Sequence, residues 1–117
     1  MLTSIGQDVL NHELNVGGPV AEEVLRRGRM AAEAGLDGIV CSAADLATIR
    51  AELPEGLLFV TPGVRPKGGS VDDHKRAVSY GEAVAAGSSL LVVGRAIMRA
   101  ADRRAAALGI LEEIARR

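Results

Sequence analysis

The chain has 117 residues, 48% hydrophobic and 25% charged, with a formal net charge of -1. That length holds a single domain, 1–117, with a buried core, and the composition is that of globular proteins. The charge is wrong for a nucleic-acid surface, which is usually strongly basic, and aromatic residues at 2% leave no platform for stacked bases.

In chain order, Leu2-Thr3-Ser4 reads as the tail of a strand. Gly17-Gly18-Pro19 opens a helix, because proline at an early helical position gives up an N–H that has no partner there. Val20, Val24, Ala31 and Ala34 lie at helical spacing, with Arg26, Arg27 and Arg29 on the other side. Gly35 is placed to cap its end. Gly38-Ile39-Val40-Cys41 is a short buried strand. Ser42 caps the next helix, with Asp45 three residues on, and that helix runs to about Leu53 and stops at Pro54. Leu57 to Thr61 is a second strand. Ser79 and Glu82 form a capping-box pair for a helix that Gly87 closes. Leu90 to Val93 is a third strand. Asp102 caps an Ala-rich helix that runs toward Arg116.

Strand and helix alternate, which predicts a parallel sheet with crossover helices. A closed barrel of this kind needs eight strand–helix units and about 250 residues, so the chain holds roughly half. The expected fold is α/β, half of a (β/α)8 TIM-type barrel. Such a half exposes strand edges and an apolar inner face, which implies association into a homo-oligomer, a dimer being the simplest. A small open sheet covered by helices on both faces is the alternative.

Two loops carry the chemistry. Leu90-Leu91-Val92-Val93 ends abruptly in Gly94-Arg95, which sets backbone N–H groups beside a guanidinium, the composition of an anion site and most often a phosphate site. Upstream, Thr61-Pro62-Gly63-Val64-Arg65-Pro66-Lys67-Gly68-Gly69-Ser70 follows another apolar run. In parallel barrels the loops after the last two strands, with a short extra helix, often cradle phosphate. Taken alone, each loop is also what a plain turn with a solvated arginine looks like. Together they favour the phosphate.

These segments resemble a known family. Leu2-Thr3-Ser4, Gly35-Leu36-Asp37-Gly38-Ile39-Val40-Cys41-Ser42, Thr61-Pro62-Gly63-Val64-Arg65-Pro66 and Val93-Gly94-Arg95-Ala96-Ile97 are similar, in order and spacing, to the ends of the fifth to eighth strands of orotidine 5′-phosphate decarboxylase. Asp72-Asp73-His74-Lys75-Arg76 is similar to that family's phosphate-side loop. The resemblance spans essentially the whole chain but only the C-terminal half of the family's barrel. It implies a carboxy-lyase of pyrimidine biosynthesis that converts orotidine monophosphate to uridine monophosphate with no metal and no organic cofactor. It also implies that Arg95 and the Gly94 amide hold phosphate, that Ser4 contacts the pyrimidine and that Pro62 packs near the base. His74 stands where the family has a glutamine that bridges base and phosphate. A histidine there can still donate to phosphate, and more so when protonated.

The resemblance also shows what is missing. The family decarboxylates through an Asp-x-Lys-x-x-Asp array and a further lysine, whose ammonium protonates the carbon that loses CO₂. The chain's lysines are Lys67 and Lys75. Asp73-His74-Lys75 supplies Asp-x-Lys, but Val78 stands where the second aspartate belongs, and the stretch lies in the phosphate-side loop. No catalytic residue is assigned, and without its proton donor the chain alone is expected to turn nothing over.

The remaining polar residues have plain explanations. His12 is solvated. Two separated histidines and one cysteine make no metal site. Cys41 packs at a strand end and is no nucleophile, and Ser42 is a cap rather than a catalytic serine. A single cysteine fits a reducing cytoplasm. No apolar run reaches membrane-spanning length and no leader is evident, so no membrane partner is expected. Two functions follow from different classes. One is a phosphate- or nucleotide-monophosphate-binding half of the decarboxylase. The other is a self-associating half-barrel module with no activity. Another phosphate-handling barrel enzyme is a weaker third.

Overall fold

A computed structural model describes residues 5–66 and 78–116. Ser4 and His74 lie outside the described residues, as do Leu2-Thr3-Ser4, Lys67 to Ser70 and Asp72-Asp73-His74-Lys75-Arg76. The chain begins with a short π-helical segment, Val9–Glu13, in which His12 is exposed. Helix α1 is Val20–Glu33, β1 is Gly38–Val40, α2 is Ala43–Ile49, β2 is Leu58–Thr61, α3 is Tyr80–Ala85, β3 is Leu90–Leu91, α4 is Arg95–Met98 and α5 is Arg103–Ala115. A 3-10 turn, Arg50–Glu52, prolongs α2 to the edge of Leu53.

The punctuation read from the sequence holds. Pro19 is the N-cap of α1, just before its first turn. Its extended backbone suits proline, and the missing side-chain acceptor is supplied from outside the helix: Gln7 Oε1 accepts from the Val20 amide at 3.0 Å. Gly35, at φ 77°, ends α1. The Leu36 amide donates to the Ala31 carbonyl and the Gly35 amide to Ala32, the paired bonds of a left-handed C-terminal cap. Gly87, at φ 103°, ends α3 in the same way through the Ser88 and Gly87 amides. The Ser79–Glu82 capping box is complete in both directions. Ser42 caps α2 by accepting from the Ala44 amide, and Asp102 caps α5 by accepting from Ala105 at 2.9 Å.

The three strands are parallel in the order β1-β2-β3. Val40 sits opposite Val60, and Val60 opposite Leu90. Side chains alternate across a strand, so Ile39, Cys41, Phe59, Thr61 and Leu91 share one face. All are buried or half-buried there. Two clusters build the core on that side. The first joins Val24, Leu46, Ile49, Leu53 and Leu57 to Phe59 and Cys41. The second joins Ala43, Val64, Tyr80 and Ala83, with Leu91, Val93, Ile110 and Ile114 packed against it.

The other face is the apolar inner face that a half-barrel is expected to expose. Val40 is 50% exposed, Leu58 46%, Leu90 57% and Val92 51%, so the 38–41 strand, expected to be buried, is covered on one side only. The helices pack on one face only, so every second apolar side chain faces outward. This also disfavours the alternative sheet with helices on both faces. The third strand is shorter than expected, Leu90–Leu91, although Val92 still donates to the Thr61 carbonyl at 2.9 Å. Arg26, Arg27 and Arg29 are exposed as expected, but Ala34 lies outside the buried stripe. Glu23 is buried between two of those arginines, accepting from Arg26 Nε at 2.7 Å and Arg27 Nε at 2.6 Å. These bonds hold its carboxyl well below the usual range, from 4.5 down to about 2.

Candidate phosphate site

The site is built where β2 and β3 end. Ser88 Oγ donates to Thr61 Oγ1 at 2.7 Å beneath the sheet. Ser89 adds two bonds to Phe59, its amide donating to the Phe59 carbonyl at 2.9 Å and its Oγ accepting from the Phe59 amide at 3.1 Å. Ser88 and Ser89 precede β3, so these bonds set its start against β2, and the Val92–Thr61 bond holds the two strands together at their ends; neighbouring strands are about 4.8 Å apart. The loops that follow therefore leave one edge of the sheet together.

The loop after β2 begins with half-buried Pro62. It turns at Gly63, where φ is 77°, a conformation glycine adopts without strain. Val64 then anchors the loop in the second core cluster. The Arg65 amide donates to the Val78 carbonyl at 3.1 Å, and Arg65 bridges Ser79 in parallel register. The loop's far end is thus tied to the start of α3. Arg65 is half-buried and near Tyr80. The Tyr80 phenol is pushed up by burial and by the Glu113 carboxylate, against the opposing pull of Arg65.

The loop after β3 passes through Gly94 into α4. Gly94 is the exposed N-cap of α4, with φ -103° and ψ -89° and no side chain to close the helix start. Open space lies where its Cβ would be, so a ligand can approach the backbone. The first amides of any helix lack intrahelical acceptors. Arg95 is exposed, and among the described residues it forms no ion pair or side-chain hydrogen bond. Arg99, Arg103 and Arg104 continue an exposed basic run around Asp102. The short extra helix expected after the last strand is α4.

Of the six residues singled out in the sequence, Pro62 and Arg65 lie in the loop after β2, Gly94 and Arg95 lie where β3 passes into α4, and Ser4 and His74 lie outside the described residues. Cys41 lies at the end of β1, 1% exposed. Burial, with Asp45 nearby, pushes its thiol up to about 11, so it stays protonated at neutral pH. Among the described residues no cluster of His, Cys, Asp and Glu could hold a metal ion, and no helix is long and apolar enough to cross a membrane. Reading residues one by one missed the Ser88–Thr61 hydrogen bond that ties the lead-in of β3 to the last residue of β2. Its only trace in sequence is a pair of small polar residues beside two apolar runs.

Parallel strands, each followed by a helix on the same face, with a basic and glycine-rich pair of loops at one edge, define a barrel-type α/β protein. Comparison with known proteins makes that specific. Residues 1–110 match the model of the "Orotidine 5'-phosphate decarboxylase / HUMPS family". An orotidine 5′-phosphate decarboxylase of Afipia carboxidovorans is 50% identical over 96 residues, 82% of this chain and 41% of that protein. The Ruegeria pomeroyi enzyme of the same name is 47% identical over 116 residues, 97% of this chain and 48% of that protein. The crystal structure of orotidine 5′-phosphate decarboxylase from Lactobacillus acidophilus superposes with a TM-score of 0.80 at 38% identity, covering 97% of this chain and 46% of that one. The chain belongs to the orotidine 5′-phosphate decarboxylase family, and it spans less than half the length of these relatives.

Proposed function

We propose that this chain is the phosphate-binding half of an orotidine 5′-phosphate decarboxylase barrel, with β1, β2 and β3 standing where the sixth, seventh and eighth strands of the family's barrel stand. The order of the matched motifs supports this. Its ligand is phosphate or the phosphate of a nucleotide monophosphate such as uridine monophosphate. The single observation that carries the reading is the exposed Arg95 guanidinium, without an acidic partner among the described residues, on an open Gly94 turn beside the Pro62–Arg65 loop.

The chemistry is electrostatic. A guanidinium matches two phosphate oxygens at once, and the uncovered amides at the start of α4 add donors. A hydrogen bond to a charged group contributes about 1.5–3 kcal/mol, so two or three give roughly millimolar to micromolar affinity. Ser4 would contact the pyrimidine and His74 would add a donor to phosphate, in keeping with the family resemblance. The chain's two lysines do not form the family's Asp-x-Lys-x-x-Asp array. Binding without turnover is therefore the reading for this chain alone, in a cytoplasmic setting consistent with the free thiol of Cys41.

Calorimetric titration of uridine monophosphate into wild type and Arg95→Ala tests it. Wild type is expected to bind, and Arg95→Ala to lose at least tenfold in affinity. Equal binding by both, or none by either, overturns the reading. Incubation with orotidine monophosphate, followed by its absorbance, is expected to show no decarboxylation.

A further inference from the structure

Two groups of exposed arginines have different surroundings. Arg26, Arg27, Arg29 and Arg116 each hold a glutamate carboxylate at 2.6 to 2.9 Å. Arg95, Arg99, Arg103 and Arg104 hold none among the described residues. Residues 95–104 contain four arginines and one aspartate, a net +3, in a chain whose total is -1, so the remaining residues carry a net -4. Asp102, the one carboxylate in the run, is turned to the Ala105 amide as a helix cap. Helix stability does not explain this placement. Arg95 and Arg99 stand one turn apart, the spacing at which like charges repel. Arg103 and Arg104 open the first turn of α5, which holds no acidic residue, although the helix dipole favours carboxylates there.

We propose that Arg99, Arg103 and Arg104 are an electrostatic guide that draws a phosphate-bearing ligand toward Gly94 and Arg95. The inference rests on the phosphate reading above and gives a role to three residues which that reading leaves unused. Arg99 lies one helical turn from Arg95, about 6 Å between Cβ atoms, and α5 packs against α4. Screening at physiological salt sets in over about 8 Å, so the field of the run reaches an anion arriving at the open Gly94 turn. Clustered charge of one sign raises the rate of encounter with the opposite charge by roughly 10- to 1,000-fold. A phosphate monoester carries about -1.5 to -2 at neutral pH and is pulled strongly, whereas an uncharged nucleoside is not. The net negative remainder of the chain biases the approach toward the same end. Steering of this kind acts on arrival, while direct contact governs how long the ligand stays. Arg99, Arg103 and Arg104 thus set the association rate, and Arg95 the dissociation rate.

Phosphorus NMR line shapes of uridine monophosphate, titrated into the chain, separate the two rates. For wild type the association rate is expected to fall about tenfold between roughly 10 and 200 mM salt. A variant with Arg99→Gln, Arg103→Gln and Arg104→Gln together is expected to associate about fivefold more slowly at low salt, with a flatter salt dependence and a dissociation rate within about twofold of wild type. Arg99→Lys, Arg103→Lys and Arg104→Lys together keep the charge and lose the guanidinium, and are expected to keep the wild-type association rate. Should the glutamine variant fail to fold, Arg99→Gln alone carries the test through a smaller drop. An unchanged association rate in the glutamine variants overturns the proposal, as does a loss that falls on dissociation or a lysine variant as slow as the glutamine one. If wild type binds no uridine monophosphate, the phosphate reading falls and the guide with it. If Arg95→Ala weakens binding while the glutamine variant associates at the wild-type rate, the guide alone falls.

Discussion

The two faces of one small sheet have nearly the same composition and opposite surroundings. Phe59 is 0% exposed and its chain neighbour Leu58 is 46% exposed, although both are large apolar residues on the same strand. The difference lies in what the crossover helices reach. Helices α1 and α2 close over Ile39, Cys41 and Phe59, while α3 and α5 close over Leu91 and Val93. Nothing described in the chain reaches Val40, Leu58, Leu90 or Val92. Hydrophobicity therefore marks positions meant to be dry, and only the packing shows which of them this chain keeps dry by itself.

Truncation separates the faces most sharply. Phe59→Ala removes a ring at the centre of the first core cluster and is expected to cost about 3–5 kcal/mol. Leu58→Ala, one residue away, is expected to cost about 1 kcal/mol or less when the uncovered face is wet. Urea unfolding at low protein concentration measures both. Equal costs would mean that the Leu58 side is covered, and a Leu58→Ala cost that grows with protein concentration would trace that cover to self-association.

A smaller effect is expected at Gly38, opposite Leu58 in the register. A Cβ there would lie 2.6 Å from the Leu58 carbonyl oxygen and 2.8 Å from the Leu58 Cβ. Backbone cannot yield as a flexible side chain does, so Gly38→Ala is expected to cost about 1–3 kcal/mol, read in the same unfolding assay. An unchanged midpoint would show that the β1–β2 pairing is looser than the hydrogen-bond register implies.

The smallest effect concerns Glu23, away from both faces. Its carboxyl falls from 4.5 to about 2 in the folded chain. A lowered pKa contributes stability above the unfolded value, and that contribution disappears as pH falls through the folded one. Arg26 and Arg27 are more than half exposed, so water screens the pair and the gain is modest. Glu23→Gln is expected to lower Tm at neutral pH, with the gap to wild type closing between pH 4.5 and about 2. A gap that stays constant across that window would assign the effect to packing rather than to charge.

Much of the fold was legible because its signals are local. Gly35 and Gly87 mark helix ends by conformation, Ser79 with Glu82 and Asp102 mark helix starts by hydrogen bonding, and the apolar runs mark strands. Which face of a strand is covered is not local. The runs at 57–61 and 90–93 are apolar on both faces, so their composition does not say which face the chain's own helices cover; the exposed inner face followed from counting strand–helix units instead. The site divided along the same line. Gly94-Arg95 and Pro62 to Arg65 were visible as composition at strand ends, and the parallel register then set their loops side by side. The Ser88–Thr61 bond, and the acceptor that Gln7 offers to α1, depend on residues brought together by folding, and no spacing announces them.

The Glu113 carboxylate accepts from the amides of Tyr80 and Gly81 at 3.2 and 3.5 Å, which ties α5 to the first turn of α3. The bond spans 33 positions. On a ribosome, which builds the chain from its N-terminus, the capping box of α3 can form as soon as Glu82 has been added, whereas the reinforcement from Glu113 must wait until α5 has been made. The start of α3 is thus completed in two stages, its local capping bonds first and the long-range one from α5 second.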